Sequence, residues 1–101
     1  MNSVMQLKMA KFKLIQTKEF IKGFKNLLPN DKDKVKTLLK LLENGEELPS
    51  KYCDHQLKGN LQDFRECHIR GNLLLLYRKR QQILTITAIN VGSHNQIFGS
   101  K

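Results

Sequence analysis

The chain has 101 residues, which is enough for one domain and too few for two. Lysine and arginine number 18 against 9 acidic residues, giving a formal net charge of +9, which favours an anionic partner: a nucleic acid, a membrane surface or an acidic protein. No stretch approaches the roughly 20 apolar residues of a membrane span, and MNSVMQLKMAKF lacks the features of a signal peptide. We therefore expect a cytoplasmic protein whose Cys53 and Cys67 are reduced thiols.

The N-terminal part is expected to begin with a poorly ordered leader, residues 1–10, followed by one domain over residues 11–101. Lys11–Ile15 alternates charged and apolar residues, which predicts a half-buried strand. Thr17 then offers an oxygen that can cap a helix, and the apolar residues within 20–28 follow at helical spacing. The sequence therefore predicts a strand followed directly by a helix.

A second helix is predicted after Pro29, which together with Asn30 ends the first one. Either Asn30 or Asp31 can cap this second helix, and Gly45 is a candidate for its C-terminal cap. The short connection predicts an antiparallel helical hairpin. Residues 46–60 show no clear period and are expected to form a long ordered loop, a type of segment that is often functional.

Three further strands are predicted at Phe64–Ile69, Leu73–Arg78 and Ile83–Asn90, with a tight hairpin turn at Gly71-Asn72. Residues 92–98 are expected to close the fold with a turn and a short helical segment. The order predicts an α+β domain: an N-terminal strand, an α-helical hairpin, and then a three- to four-stranded, mostly antiparallel twisted sheet. One face of the sheet would pack on the helices while the other stays partly open.

The three histidines, His55, His68 and His94, all lie in the second half of the chain. A base that takes the ribose 2′-OH proton, an acid that protonates the leaving 5′-oxygen, and cations near the phosphate are sufficient to cleave RNA. The second half offers these groups: Asp54, His55, Lys58, Arg65, Glu66, His68, Arg70, Arg78 and His94. Taken one at a time, each histidine is better explained as an ordinary surface or half-buried residue.

Strand geometry places Glu66 and His68 on one face of the predicted Phe64–Ile69 strand, so Glu66 can orient or polarise His68. The same spacing also suits an ordinary polar pair. Arg65 lies on the opposite face. The pairs Cys53-x-His55 and Cys67-His68 do not have the spacing of structural zinc sites, so no metal site is expected.

Four segments carry a resemblance to a known family. They are Asp54-His55-Gln56-Leu57-Lys58-Gly59-Asn60, Phe64-Arg65-Glu66-Cys67-His68-Ile69, Leu74-Leu75-Leu76-Tyr77, and Gly92-Ser93-His94 followed by Phe98. They match D-H-x-L-x-G, then [FY]-R-[DE]-x-H-[IV], then an apolar strand that ends in Tyr, then G-[ST]-H-x-x-[LI]-F. Over residues 54–98 the chain closely resembles the YafQ branch of the RelE toxin superfamily.

The resemblance implies the toxin of a bacterial type II toxin–antitoxin system with a microbial-RNase-like α+β fold. Such toxins are endoribonucleases, or mRNA interferases, that typically cut mRNA in the ribosomal A site without a metal or other cofactor. A cognate acidic antitoxin of the RelB/DinJ type neutralises them. Contact with DNA would be only indirect, through the antitoxin.

The resemblance also implies roles for individual residues. His94 is the best candidate for the general acid, His55 or His68 would serve as base or phosphate stabiliser, and Glu66 occupies an acidic active-site position. Phe98 would hold the substrate nucleotide. The expected RNA-binding residues are Lys58, Arg65, Arg70, Asn72, Arg78 and Phe98.

The chain departs from the family pattern at two positions. Gly71-Asn72 stands where many relatives have Pro-Asp, and an asparagine cannot take up a proton at neutral pH. Cys53 stands where relatives often have lysine. These departures leave open a weakly active or non-catalytic RNA- or ribosome-binding protein, and a partner-only regulator is a further alternative.

Overall fold

The computed structural model describes residues 11–59 and 63–99. In chain order these residues form β1 (Lys13–Gln16), α1 (Lys18–Lys25), α2 (Pro29–Glu43), β2 (His55–Gln56), β3 (Phe64–Arg70), β4 (Leu73–Arg80), β5 (Thr85–Gly92) and α3 (His94–Phe98). Single 3₁₀ turns occur at Ser50–Tyr52 and Gln81–Ile83. The leader expected at residues 1–10 lies outside the described part of the chain.

The strands form one five-stranded sheet in the order β1-β5-β4-β3-β2. β1 runs parallel to β5, and the other neighbouring pairs are antiparallel. The expected α+β class with a mostly antiparallel sheet is therefore confirmed. The segment 46–60 was expected to form a long ordered loop, and its described residues, 46–59, also contain a 3₁₀ turn and β2. A two-residue strand is too short to leave a period in the sequence.

Helix α1 begins as predicted, with the Thr17 hydroxyl accepting a hydrogen bond from the Phe20 amide at 3.0 Å. It ends at Lys25, earlier than the predicted end at Pro29, with Asn26 as the C-terminal cap. The helix lies very close to β5. A Cβ added to Gly23 would come within 2.5 Å of the carbonyl oxygen of Val91. Only a glycine allows this approach without displacing the backbone.

Helix α2 begins at Pro29 with Leu28 as its N-cap, so the prediction that Asn30 or Asp31 caps it was wrong. Proline suits the first helical position because it has no N–H to satisfy and its φ angle already fits the helix. At the other end Asn44 is the cap, and Gly45 follows it in the left-handed region with φ of 78°. The Gly45 amide donates to the Leu42 carbonyl at 3.0 Å, which closes the helix.

The hydrophobic core lies between the helices and one face of the sheet. Its largest fully buried side chains include Tyr77, Leu38, Leu75, Ile86, Val35 and Cys67. The alternate residues of β3 and β4 form the opposite face, which we call the open face. It carries Phe64, Glu66 and His68 from β3, and Leu74, Leu76 and Arg78 from β4. The two leucines are buried and form its floor.

Candidate active site

Strand register places His55 beside Glu66 on the open face. The two residues are directly paired in the β2–β3 ladder, and Glu66 is in turn paired with Leu76 on β4. His55 Nε2 lies 3.4 Å from Glu66 Oε1. The histidine side chain is 51% exposed, whereas the glutamate side chain is only 10% exposed. The pair therefore presents an accessible imidazole backed by a nearly buried carboxylate.

A second contact fixes the orientation of the His55 ring. Its Nδ1 lies 2.8 Å from the carbonyl oxygen of Cys53. Because a carbonyl oxygen can only accept, Nδ1 carries the hydrogen of this bond. Cys53 presents its carbonyl from a left-handed backbone conformation, with φ of 49°. Nε2 is therefore the nitrogen that faces Glu66.

His68 lies on the same face, two residues after Glu66 on β3. The centre of its ring is 6.4 Å from that of His55. The expectation that Glu66 orients His68 is not matched, since the Glu66 carboxylate pairs with His55 instead. Within the described part of the chain the ring nitrogens of His68 have no hydrogen-bond partner. Across the sheet, His68 is paired with Leu74, and Leu74 is paired with Gly92 on β5.

His94 is positioned by the start of α3, directly after β5. Ser93 caps this helix by accepting from the Gln96 amide at 3.1 Å, while the Gln96 side chain accepts from the Ser93 amide at 2.7 Å. This reciprocal pair fixes the first turn of the helix. The His94 ring stacks at a tilt against Phe98, with 4.9 Å between ring centres.

Behind the open face, Asp54 ties β2 to the core. Asp54 Oδ1 accepts from the Tyr77 hydroxyl at 2.7 Å and from Arg65 Nε at 3.3 Å. Burial raises the pKa of Tyr77, and its hydrogen bond to Asp54 acts in the same direction. Arg65, expected to bind RNA, thus lies on the face of the sheet away from His68, as the alternation of side chains predicted. Asp54 and His55 are consecutive, so this buried cluster anchors the strand that carries His55.

Two other arginines expected to bind RNA make ion pairs. Arg70 holds Asp31 of α2 in a two-bonded pair, with Nε–Oδ1 at 2.7 Å and Nη2–Oδ2 at 2.9 Å. These hydrogen bonds from Arg70 lower the pKa of Asp31. Arg78 lies 5.4 Å from the centre of the Phe64 ring, and its Nη2 lies 3.3 Å from Asp63 Oδ2.

The remaining expected site residues are exposed. Lys58 lies just after β2, and Asn72 lies in the β3–β4 turn. Phe98 is 37% exposed, so its ring remains accessible beside His94. The structure thus brings His55, Glu66 and His68 together on the open face and places His94 with Phe98 at the adjoining end of β5.

The two cysteines have different environments, and both are free thiols. Cys53 is exposed, whereas Cys67 is fully buried, and burial raises the pKa of the Cys67 thiol to about 12. Within residues 11–59 and 63–99 no three His, Cys, Asp or Glu side chains are grouped so that they could hold a metal ion. In the same ranges no helix has the length and apolar character needed to cross a membrane.

Sequence reasoning missed the residues that support the histidines. Tyr77 was recognised only as the end of an apolar strand, and Asp54 only as a carboxylate near a histidine. Their contact spans 23 residues of sequence. The buried tyrosine hydroxyl was the available signal, since such a group needs a hydrogen-bond partner.

Comparison with known proteins supports the family resemblance found in the sequence. Residues 12–99 match a family model described as a bacterial toxin of type II toxin–antitoxin systems, YafQ. The mRNA interferase toxin YafQ of Escherichia coli strain K12 is 33% identical over 70 residues, covering 68% of this chain and 74% of the relative. A putative toxin YafQ of Haemophilus influenzae is 32% identical over 71 residues, covering 65% and 70%, respectively.

Solved structures show the same fold. A metal-bound toxin from Helicobacter pylori superposes with a TM-score of 0.77 at 37% identity, covering 86% of this chain and 99% of that one. YafQ in the E. coli DinJ–YafQ complex superposes with a TM-score of 0.76 at 26% identity, covering 88% and 100%. The resemblance found in residues 54–98 therefore extends across most of the chain, which belongs to the YafQ family of bacterial type II toxin–antitoxin toxins.

Proposed function

We propose that this toxin cleaves mRNA by attack of a ribose 2′-OH on the adjacent phosphate, without a metal ion. The observation that carries the proposal is the strand register, which sets His68 and Gly92 on either side of Leu74. His68 lies opposite Leu74 on β3, and Gly92 lies opposite it on β5, two residues before His94. β3 and β5 are two strand spacings apart, about 10 Å, which leaves room for a phosphodiester above the leucine.

Such an arrangement suits in-line displacement, in which base and acid act on opposite sides of the phosphorus. His68 takes the 2′-OH proton, because its ring nitrogens have no partner among the described residues. His94 protonates the leaving 5′-oxygen, and Phe98 holds a base beside it by stacking. Each proton transfer of this kind contributes about 10²- to 10⁴-fold to a rate.

His55 has a different part in the proposed mechanism. Both of its ring nitrogens face acceptors, the Cys53 carbonyl at 2.8 Å and the Glu66 carboxylate at 3.4 Å. These two contacts hold the ring in one orientation on the open face, beside the proposed phosphate position. His55 would therefore stabilise the negative charge that develops on the phosphoryl oxygens, and Glu66 would hold it in place.

The test is a single-turnover cleavage assay on ribosomes carrying a defined mRNA. The expected product ends in a 2′,3′-cyclic phosphate, and an mRNA with 2′-deoxyribose at the cleaved nucleotide should remain intact. Cleavage should persist when a chelator selective for transition metals is added with Mg²⁺ left in place for the ribosome. Products ending in 5′-phosphate and 3′-hydroxyl would contradict the mechanism.

The proposed setting is the ribosomal A site in the bacterial cytoplasm, so omission of ribosomes should reduce cleavage strongly. We also propose that an acidic antitoxin neutralises the protein and that any DNA contact runs through this antitoxin. The E. coli relative is found in a complex with DinJ. The net charge of +9 suits an acidic partner of that kind.

A further inference from the structure

A cleft beside His68 remains unassigned. It has a volume of about 340 Å³ and lies between the second turn of α2, the Ser50–Tyr52 turn and the end of β3. Its lining includes Lys34, Lys51 and Arg70, together with His68 and Cys53. Three cations therefore converge on a cavity that opens at the proposed general base.

This cleft differs in charge from the larger cavity, which has a volume of about 660 Å³ and lies on the covered face of the sheet. The larger cavity has four carboxylates among its lining residues, Glu46, Glu47, Asp54 and Asp63, against the cations Arg65 and Lys79. The described lining of the smaller cleft contains no carboxylate. A polyanion passing the histidines would therefore be attracted into the smaller cleft and repelled by the larger cavity.

One cation of the cleft, Arg70, is held in position by an ion pair. Arg70 is fixed by its two bonds to Asp31, and these use two of its five N–H groups, which leaves three for another acceptor. Lys34 lies near enough to the same carboxylate to lower the pKa of Asp31, though by less than Arg70 does. The Lys51 ammonium lies 5.2 Å from the centre of the Tyr52 ring. Arg70 is therefore already positioned for an anion, and the two lysines can reach the same anion from the cleft wall.

We propose that this cleft binds a backbone phosphate of the RNA next to the phosphate that is cleaved, through Lys34, Lys51 and Arg70. The inference rests on the proposed function, because it takes RNA as the substrate. The cleft would thereby fix the position of the strand relative to His68 and His94. Its contribution would be to affinity and register, not to the chemical step.

The first experiment measures binding of a short 2′-fluoro RNA, which lacks the attacking hydroxyl, by fluorescence anisotropy. The double variant Lys34→Gln/Lys51→Gln should bind about two- to fivefold more weakly for each lysine removed. Its affinity should also depend less steeply on salt, with a slope reduced by about one. The matched control, Lys25→Gln/Lys36→Gln, loses the same charge from exposed helical positions outside the cleft. Equal effects of the two double variants would overturn the proposal.

A second experiment identifies the phosphate. Single neutral methylphosphonates are placed along the RNA, one position at a time. At one position the substitution should weaken binding to the unmodified protein and have no further effect on the Lys34→Gln/Lys51→Gln variant. Additive effects at every position would show that the cleft holds no particular phosphate. If the double variant instead loses affinity only for an acidic antitoxin, the cleft serves the protein partner and the proposal is wrong.

Cys53 lines both the cleft and the larger cavity, and a charge attached to it provides a supplementary probe of this region. Iodoacetate and iodoacetamide add groups of nearly equal size, but only the carboxymethyl group is negatively charged. We expect carboxymethylation to weaken RNA binding more than carbamidomethylation does, and equal effects would argue against an anion site. These measurements do not require cleavage. If binding at one phosphate depends on the two lysines but the RNA is not cleaved, only the proposed function is wrong. If the RNA is cleaved but binding at no phosphate depends on the two lysines, only this inference is wrong.

Discussion

His55 and Glu66 lie directly opposite one another in the β2–β3 ladder, and the strand that carries His55 is only two residues long. So short a strand does not fix a side chain by itself. The position of His55 depends on three further contacts nearby: the Cys53 carbonyl with its ring, and Tyr77 and Arg65 with the adjacent Asp54. The geometry of the site is therefore set largely by groups outside the histidines themselves.

Replacement of the glutamate tests its link to His55. Glu66→Gln keeps the size of the side chain but removes the carboxylate charge that lies 3.4 Å from His55 Nε2. We expect the single-turnover rate to fall about 10- to 100-fold and KM to change little. A His55→Gln variant should show a similar loss, and the double variant should lose little more. Fully additive losses would mean that the two residues act independently.

His94 is expected to be the residue whose loss is most harmful to activity and least harmful to the fold. His94→Ala should lower the cleavage rate at least 100-fold and relieve growth arrest on induction. His94 is exposed, and the cap formed by Ser93 and Gln96 remains in the variant. The midpoint temperature of thermal unfolding of His94→Ala should therefore stay within about 2 °C of that of the original protein. A fully toxic, folded His94→Ala protein would rule out the general-acid role.

Loss of the buried hydroxyl should affect both stability and activity. Tyr77→Phe leaves Asp54 without its 2.7 Å hydrogen bond and should cost about 1–3 kcal/mol of unfolding free energy. Cleavage by the folded protein should also slow, because the strand that bears His55 loses an anchor. Tyr52→Phe is the matched control, since Tyr52 is only half-buried. Unchanged activity in Tyr77→Phe would show that Asp54 does not position His55.

The β3–β4 turn tests the departure from the family pattern. Asn72 is exposed there, beside Gly71 with φ of 40°. We expect Asn72→Asp to raise the single-turnover rate about tenfold, because it supplies a carboxylate that can exchange a proton. Asn72→Gln, which changes the side chain without adding charge, should give no gain. An equal rate in all three proteins would mean that the chemistry does not need this carboxylate.

The two thiols should differ in reactivity. In the native protein a thiol reagent should modify Cys53 alone, and Cys67 should react only after unfolding, because it is buried and protonated. A Cys53→Ser variant should therefore appear unreactive. Rapid modification of two thiols per folded chain would contradict the buried position of Cys67.

The raised pKa of Cys67 also makes stability depend on pH. Folding raises this pKa from its ordinary value of 9.0 to about 12, so the unfolded chain releases the proton first. The stabilisation that the protonated Cys67 thiol contributes is complete below about pH 9 and is lost as the pH rises towards 12. Relative to Cys67→Ala, the unfolding free energy should fall by about 1.4 kcal/mol per pH unit across this range. If the unfolding free energies of the original protein and of Cys67→Ala change in parallel with pH, the raised pKa of Cys67 is contradicted.

Local patterns were sufficient to predict the cap at Thr17, the three C-terminal strands to within a few residues, and the α+β order. Alternation along β3 also separated Arg65 from His68 correctly. The expected membership of an endoribonuclease toxin family is confirmed by the family model and by relatives named mRNA interferase toxins.

Contacts between distant segments could not be predicted in the same way. Asp31 was expected to cap a helix, but it pairs with Arg70, 39 residues away. Glu66 was expected to support His68, but β2 brings His55 to it instead. β2 is too short to be recognised before the sheet is assembled. The irregular pairing near Leu76 and Tyr77 also changes the register of β5, which no local pattern reveals.

The adjacency of Asp54 and His55 has a genetic consequence. One peptide bond joins a residue anchored in the covered side of the sheet to one presented on the open side. Bacteria selected for survival after induction of this toxin should therefore carry substitutions at Asp54 and Tyr77 as well as at the histidines. The set of inactivating mutations would extend well beyond the surface that meets RNA.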